Sequence, residues 1–185
     1  MAEQGFIKGT SVALTLDLVR ERGGEEALRE LAQALPPEVR LLLPEDFRPL
    51  ATQQFPFEAW GEILLAAEDL FGRTQSIVRE SSRRGYRKLF QTTYRSWVKD
   101  GDPMESIRRM PRLWQQVTTG IGTLDVEERD GHPVIVARLE MPQRYRPLAE
   151  ERLCGTIEAL VEAAGGSARV RCVRQGAASE FQLLA

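Results

Sequence analysis

Apolar side chains recur every three or four residues through most of the first 119 positions and every second residue after Gly120, so the chain reads as a helical part followed by a sheet-bearing part. The run IKGTSVALTLDLV predicts a first helix from Ile7, with Ile7, Leu14 and Leu18 facing inward and a stop at Gly23-Gly24. EEALRELAQAL places Ala27, Leu28, Leu31 and Leu35 on one face before Pro36-Pro37, and PEVRLLL opens a short third helix. Residues 44–57 contain three prolines and read as a connection that turns Phe47, Phe55 and Phe57 inward. FEAWGEILLAAEDLFG then sets Ala59, Trp60, Ile63, Leu64, Ala67 and Leu70 at helical spacing, closed by Gly72.

Residues 73–99 are compatible with helix throughout, with Ile77, Tyr86, Phe90, Tyr94 and Trp97 as the inward stripe and Gly85 as a break or a close-packing point. Asp102-Pro103 has the form of an N-cap followed by proline in the first turn, opening PMESIRRMPRLWQQV, which Pro111 should kink or end. Beyond Gly120, Ile121, Leu124 and Val126 mark one strand, Asp130-Gly131 a two-residue turn, and Ile135, Ala137, Leu139 and Met141 one face of a second strand. Residues 148–164 form an amphipathic helix with Leu153, Ile157, Leu160, Val161 and Ala164 inward, capped by Gly165-Gly166. A last hairpin carries Ala168, Val170 and Cys172 against Phe181 and Leu183. The expected fold is α+β: one domain over 1–185, helical to about residue 119, then ββαββ with a four-stranded antiparallel sheet.

Composition removes several classes. With 42% hydrophobic and 28% charged residues the chain is neither disordered nor fibrous. No apolar run approaches the ~18 residues of a membrane helix, and MAEQGFIKGT lacks a signal-peptide core, so the expectation is a cytoplasmic protein without membrane insertion. The net charge of −2 conceals a basic block: residues 73–114 hold eleven Arg and Lys against four acids. Within it Arg79, Arg83, Arg84 and Arg87 can form one positive face, read either as an interaction face for an acidic partner or as a solvated face balanced by acids elsewhere. No nucleic-acid-binding signature accompanies it, and Tyr86 and Phe90 point inward instead of interleaving for base stacking. Nucleic acid is therefore not an expected partner.

Catalytic chemistry finds no footing. His132 is the sole histidine, on an expected hairpin tip, which argues against Ser-His-acid and Cys-His sites; Glu127 and Glu128 fall on opposite faces of a strand; there is no phosphate-cradling glycine loop. Cys154 shares the apolar face of its helix with Ile157 and Val161, and Cys172 that of its strand; two cysteines make no metal quartet. The chain is read as a non-enzyme with no metal site.

The opening IKGTSVALTLDLVRERGGEEAL resembles the start of heme nitric-oxide/oxygen-binding (H-NOX) domains, where a lysine-glycine pair leads into the first helix and a glycine-acid pair begins the next. LCGTIEALVEAAGGSARVRCVRQGAASEFQL resembles the ending shared by that superfamily, by 4-vinyl reductase domains and by small subunits of the TRAPP vesicle-tethering complex: a helix with an early glycine, a cap glycine, then a hairpin. With FEAWGEILLAAEDLFG, DPMESIRRMPRLW and the Gly176-to-Phe181 turn, the whole chain is similar to a paralogous family of myxobacterial proteins placed in this superfamily.

The resemblance implies a sensory or regulatory domain whose helices and sheet enclose a ligand space. It also exposes departures. H-NOX domains hold heme iron through a histidine on the helix before the sheet; matched onto MPRLWQQ, that position falls at Leu113 or Trp114. Their propionate-binding tyrosine-serine-arginine motif would fall near residues 143–147, where QRYRP does not reproduce it. Zinc-binding 4-vinyl reductase domains use clustered cysteines, but Ala177 and Ala178 stand in the turn after Cys172. The resemblance therefore implies a domain without heme or other cofactor. Its ligand space would be bordered by Trp60, Tyr86, Phe90, Leu113, Trp114 and Cys154 and take a small apolar molecule, or be filled by side chains. Lipid-modified TRAPP subunits suggest acylation as another role for Cys154. A second implication is a homodimeric or signalling-protein-binding scaffold, as TRAPP subunits are, with no ligand.

Overall fold

The computed structural model describes residues 5–72, 76–129 and 132–184. The chain runs β1 (Phe6–Lys8), α1 (Gly9–Ala34), α2 (Pro37–Arg40), β2 (Gln54–Pro56), α3 (Phe57–Phe71), α4 (Ile77–Gln91), a 3-10 turn (Arg95–Trp97), α5 (Pro103–Arg108), α6 (Met110–Val117), β3 (Thr118–Thr119), β4 (Gly122–Arg129), β5 (His132–Leu139), α7 (Arg146–Ala163), β6 (Arg169–Gln175) and β7 (Ala178–Leu184). The fold is α+β as expected. Its four longer strands form an antiparallel sheet in the order β4-β5-β7-β6.

Several elements depart from the sequence reading. Ile7 is not helical: it lies in β1, buried, paired on one side with Phe55 of β2 and on the other with Thr118 of β3. Strands of two and three residues are too short to display an alternation, so this second sheet leaves no periodic trace. The first two expected helices are both present within α1, as two regular stretches that break at Gly24, where φ 68° and ψ −163° suit glycine, in agreement with the expected stop at Gly23-Gly24. The helix expected over 73–99 is shorter. It begins at Ile77, where the Ser76 side chain accepts the Arg79 amide (3.2 Å) and the buried Glu68 carboxylate accepts the Val78 amide (3.0 Å), an anion well placed at a helix N-terminus. Residues 73–75 lie outside the described ones, as does the expected Asp130-Gly131 turn.

Asp102 caps α5 as its spacing suggests, accepting the Glu105 amide at 2.9 Å, with Pro103 in the first turn. Pro111 falls in the first turn of a new helix, α6, so it divides the segment. In the main sheet, Val126, Ile135, Phe181 and Cys172 stand opposite one another across the four strands and face the core. Ile121 precedes β4 and Met141 lies past β5, outside that row.

The core centres on α7. One side lies along α4, and other contacts reach α3, α5 and β6. Side chains all around its middle are therefore buried, including the polar Glu150, Arg152, Thr156 and Glu158. Gly155 makes the α4 contact close: a Cβ there would stand 2.2 Å from the Arg79 carbonyl oxygen.

Candidate functional site

Where α4, α6 and α7 converge, a cavity of about 20 Å³ is lined by Tyr86, Met110, Leu113, Trp114, Val117, Arg152, Leu153 and Thr156. Each arrives by a helical period: Met110, Leu113, Trp114 and Val117 are the buried stripe of α6, and Leu153 and Thr156 belong to α7. Trp114 also donates its indole N–H to the Gly122 carbonyl (3.2 Å), tying the cavity wall to the first residue of β4. Of the expected pocket residues, Tyr86, Leu113 and Trp114 line the cavity. Trp60 and Phe90 stand behind it, Trp60 against Arg152 and Phe90 against Tyr86, with ring centroids of the latter pair 5.8 Å apart.

Cys154 lies elsewhere. It is wholly buried but absent from the cavity wall, and its electrostatic neighbours are Arg79 of α4, Glu151 and Glu158 of α7 and Cys172 of β6. Burial pushes its thiol up to about 12, so it stays protonated and inert; burial likewise lifts Cys172, to about 11.

The residue at this site that sequence reading passed over is Arg152. Its side chain is 5% exposed, and Nη2 donates to the Ser11 hydroxyl (2.5 Å) and the Tyr86 hydroxyl (2.7 Å). The guanidinium carbon sits 5.2 Å from the Trp60 ring centroid and 5.4 Å from that of Tyr86, a cation held between two aromatic faces. Among the described residues no carboxylate lies within ion-pair distance of it.

Tyr145 and Arg146, in the stretch that the sequence resemblance sets against the H-NOX propionate-binding motif, are held by protein partners. The Tyr145 hydroxyl donates to Glu62 (2.5 Å) and accepts from Arg144, whose guanidinium lies 4.5 Å from the ring centre. Burial and the Glu62 hydrogen bond push that phenol up to about 12. Arg146 donates to the Ala177 carbonyl (2.7 Å) and the Ser179 hydroxyl (3.2 Å), and faces Glu150 at 3.3 Å. Glu150 is clasped further by Arg174 and Ser179; burial raises its carboxyl, but these partners outweigh burial and hold it below the usual range.

The arginine face of α4 is neutralised within the fold. Arg79 binds Glu158 and the Val170 carbonyl, Arg83 and Arg87 face Glu162, and Arg84 binds Glu21 and Glu80. The Glu158 bond holds the Arg79 guanidinium firmly protonated. His132 is exposed at the start of β5, opposite Arg129. Among the described residues no group of three or more His, Cys, Asp or Glu side chains is placed to hold a metal ion, and no helix is long and apolar enough to cross a membrane.

No family model matches the chain, and no curated protein matches it. Solved structures do. An Fe(II) unliganded H-NOX protein from K. algicida superposes with a TM-score of 0.69 at 14% identity, over 96% of this chain and 95% of that one. An oxygen-binding H-NOX domain related to soluble guanylate cyclases gives 0.61 at 14% identity, over 96% and 93%. A structure described under the molecular mechanism of H-NOX activation gives 0.63 at 13% identity, over 97% of each chain. The fold is the H-NOX fold.

Proposed function

We propose that this chain is a non-enzymatic, heme-free sensory or regulatory domain on the H-NOX fold, taking a small, largely apolar ligand where α4, α6 and α7 meet. The observation that carries the reading is the cavity beside Leu113 and Trp114. Those two residues stand where the family resemblance puts the iron-ligating histidine, and the space beside them is about 20 Å³. Ligand pockets for larger molecules run to about 300–1,000 Å³. A porphyrin does not fit such a space, the Tyr86 hydroxyl is engaged by Arg152, and Tyr145 and Arg146 already have protein partners. What the cavity accommodates without rebuilding is a group about the size of one water; Met110, unbranched and adaptable, is the wall that can give way to something longer.

A route for output accompanies the site. Trp114 both walls the cavity and binds the Gly122 carbonyl at the start of β4, so a ligand displacing the indole moves the edge of the main sheet. This coupling needs no chemistry on the ligand, in keeping with a sensor.

Native mass spectrometry and a visible absorption spectrum of protein purified without added cofactor, followed by hemin titration, test the reading. The expected result is no Soret band, no saturable hemin binding and stabilisation by small apolar molecules. Stoichiometric heme with a Soret band would overturn it.

A further inference from the structure

We propose that Arg152 is the recognition residue for the carboxylate of a short aliphatic acid, whose tail lies against Met110, Leu113, Val117 and Leu153. The inference rests on the small-ligand reading above and narrows it from an apolar molecule to an anionic one with an apolar tail.

The argument is an inventory of donors and acceptors. Arg152 brings five N–H groups to a site where it is nine-tenths buried, and both of its hydrogen bonds leave from Nη2. Its acceptors are two hydroxyls, of Ser11 and Tyr86, each of which also carries a hydrogen of its own. The Trp60 indole N–H, on the ring against which the guanidinium lies, is buried without an acceptor. The remaining nearby hydroxyl, Thr156, turns back to the Arg152 carbonyl (3.0 Å). The cluster is thus rich in donors, carries positive charge and has among the described residues no anion to match it.

The other buried acids among the described residues are answered. Glu150 has Arg146 and Arg174, Glu158 has Arg79, and Glu68 has the Val78 amide and the Ser76 hydroxyl. A buried cation without a counter-charge is costly, and aromatic faces compensate only part of it. An arginine fork matches a carboxylate in geometry as well as in charge. The remaining lining, Met110, Leu113, Trp114, Val117 and Leu153, is apolar, which suits a hydrocarbon tail and not a polyanion. The open space of about 20 Å³ takes no more than a water-sized group, so the acid enters only as Met110 and Leu113 move aside, which limits its tail to a few carbons.

Calorimetry and tryptophan fluorescence on the full chain, in chloride-free buffer, should show saturable binding of acetate, butyrate and hexanoate, with butyramide at least tenfold weaker than butyrate. Arg152→Met should lower butyrate affinity at least tenfold and leave butyramide unchanged. Val117→Phe, which leaves the guanidinium in place, should weaken hexanoate more than acetate and serves if Arg152→Met does not fold. Equal binding of butyrate by wild type and Arg152→Met would overturn the proposal, as would binding of chloride with no competition from carboxylates. If butyramide or butanol binds as tightly as butyrate, the anion assignment fails while the small-ligand reading stands. If no carboxylate and no neutral analogue binds at 100-millimolar levels, both fail.

Discussion

Gly155→Ala is the substitution whose outcome follows most directly from the geometry. A Cβ at position 155 would lie 2.2 Å from the Arg79 carbonyl oxygen, 3.1 Å from its carbon and 3.0 Å from the Arg83 nitrogen. Ordinary contact begins at 3.4 Å, so α4 and α7 must part by about 1.2 Å at their crossing, and the obstacle is backbone that cannot rotate away. Overpacking costs about 1–3 kcal/mol, more against a rigid neighbour, while replacing a mid-helix glycine by alanine returns about 1 kcal/mol. The net expectation is a loss of about 2 kcal/mol, or roughly 4–8 °C in Tm for a chain of this size. Gly85→Ala is the matched control. It gains the same helix propensity, but its Cβ meets the Leu14 side chain at 2.2 Å, and Leu14 borders an open groove with Leu18, Glu21 and Lys88 into which it can swing. That variant should stay within about 0.5 kcal/mol of wild type. Urea unfolding followed by circular dichroism measures both. A Gly155→Ala protein as stable as wild type, or a Gly85→Ala protein that loses more, would refute the account of how α4 and α7 pack.

Both thiols should resist a disulfide reagent at pH 8 in the native state, Cys154 most completely, because burial holds them at about 12 and about 11; rapid native labelling of Cys154 would contradict its burial. The Glu150 carboxyl is held below its ordinary 4.5, so it contributes stability that is present above that value and lost as pH falls through its lower native one. Glu150→Gln should cost about 3 kcal/mol at neutral pH and remove that acid-side loss, which urea unfolding at pH 3 to 7 will read. The Tyr145 phenol sits at about 12 in the fold, so the native chain keeps its proton where the unfolded one releases it and stability falls above pH 10. Tyr145→Phe should cost about 1 kcal/mol and abolish that alkaline loss in the same assay.

The order of elements was legible because most of them bury one face. In the main sheet, Val126, Ile135, Phe181 and Cys172 share one face at a spacing of two with Leu124, Ala137, Leu183 and Val170 of their own strands, and period two picks them out even where, as at Val134 and Val136, the intervening residues are apolar as well. Punctuation was legible too: Gly24, Gly72, Asp102-Pro103 and Pro111 end or open elements for local steric reasons that need no tertiary context. The strands β1, β2 and β3 were not, since Ile7 and Phe55 are single apolar positions whose pairing comes from chain segments far apart. The arginine face of α4 was legible as a charge but not as a closed set of pairs, because its acids reside on α1 and α7 as well as on α4 itself.

Arg152 escaped for a reason specific to α7. A 3.6-residue period sorts positions onto one buried arc and one wet arc, and by that rule Leu153, Ile157, Leu160, Val161 and Ala164 claim the inside. α7 is covered on more than one side, so Glu150, Arg152, Thr156 and Glu158 are buried as well, and only their partners tell them apart. The two acids belong to ion pairs; among the described residues the arginine does not. This asymmetry has a measurable consequence. Glu158→Gln strips Arg79 of its strongest partner and the Val170 amide of its charged acceptor, and should cost about 3 kcal/mol. Arg152→Met removes a buried charge that has no counter-ion and replaces it with an apolar chain of similar length, so its cost should stay below about 1 kcal/mol despite two lost hydrogen bonds. Unfolding of the two variants side by side separates the cases. A penalty for Arg152→Met equal to that for Glu158→Gln would make Arg152 a structural strut; a small penalty with lost carboxylate binding would mean that the arginine is kept for what it binds.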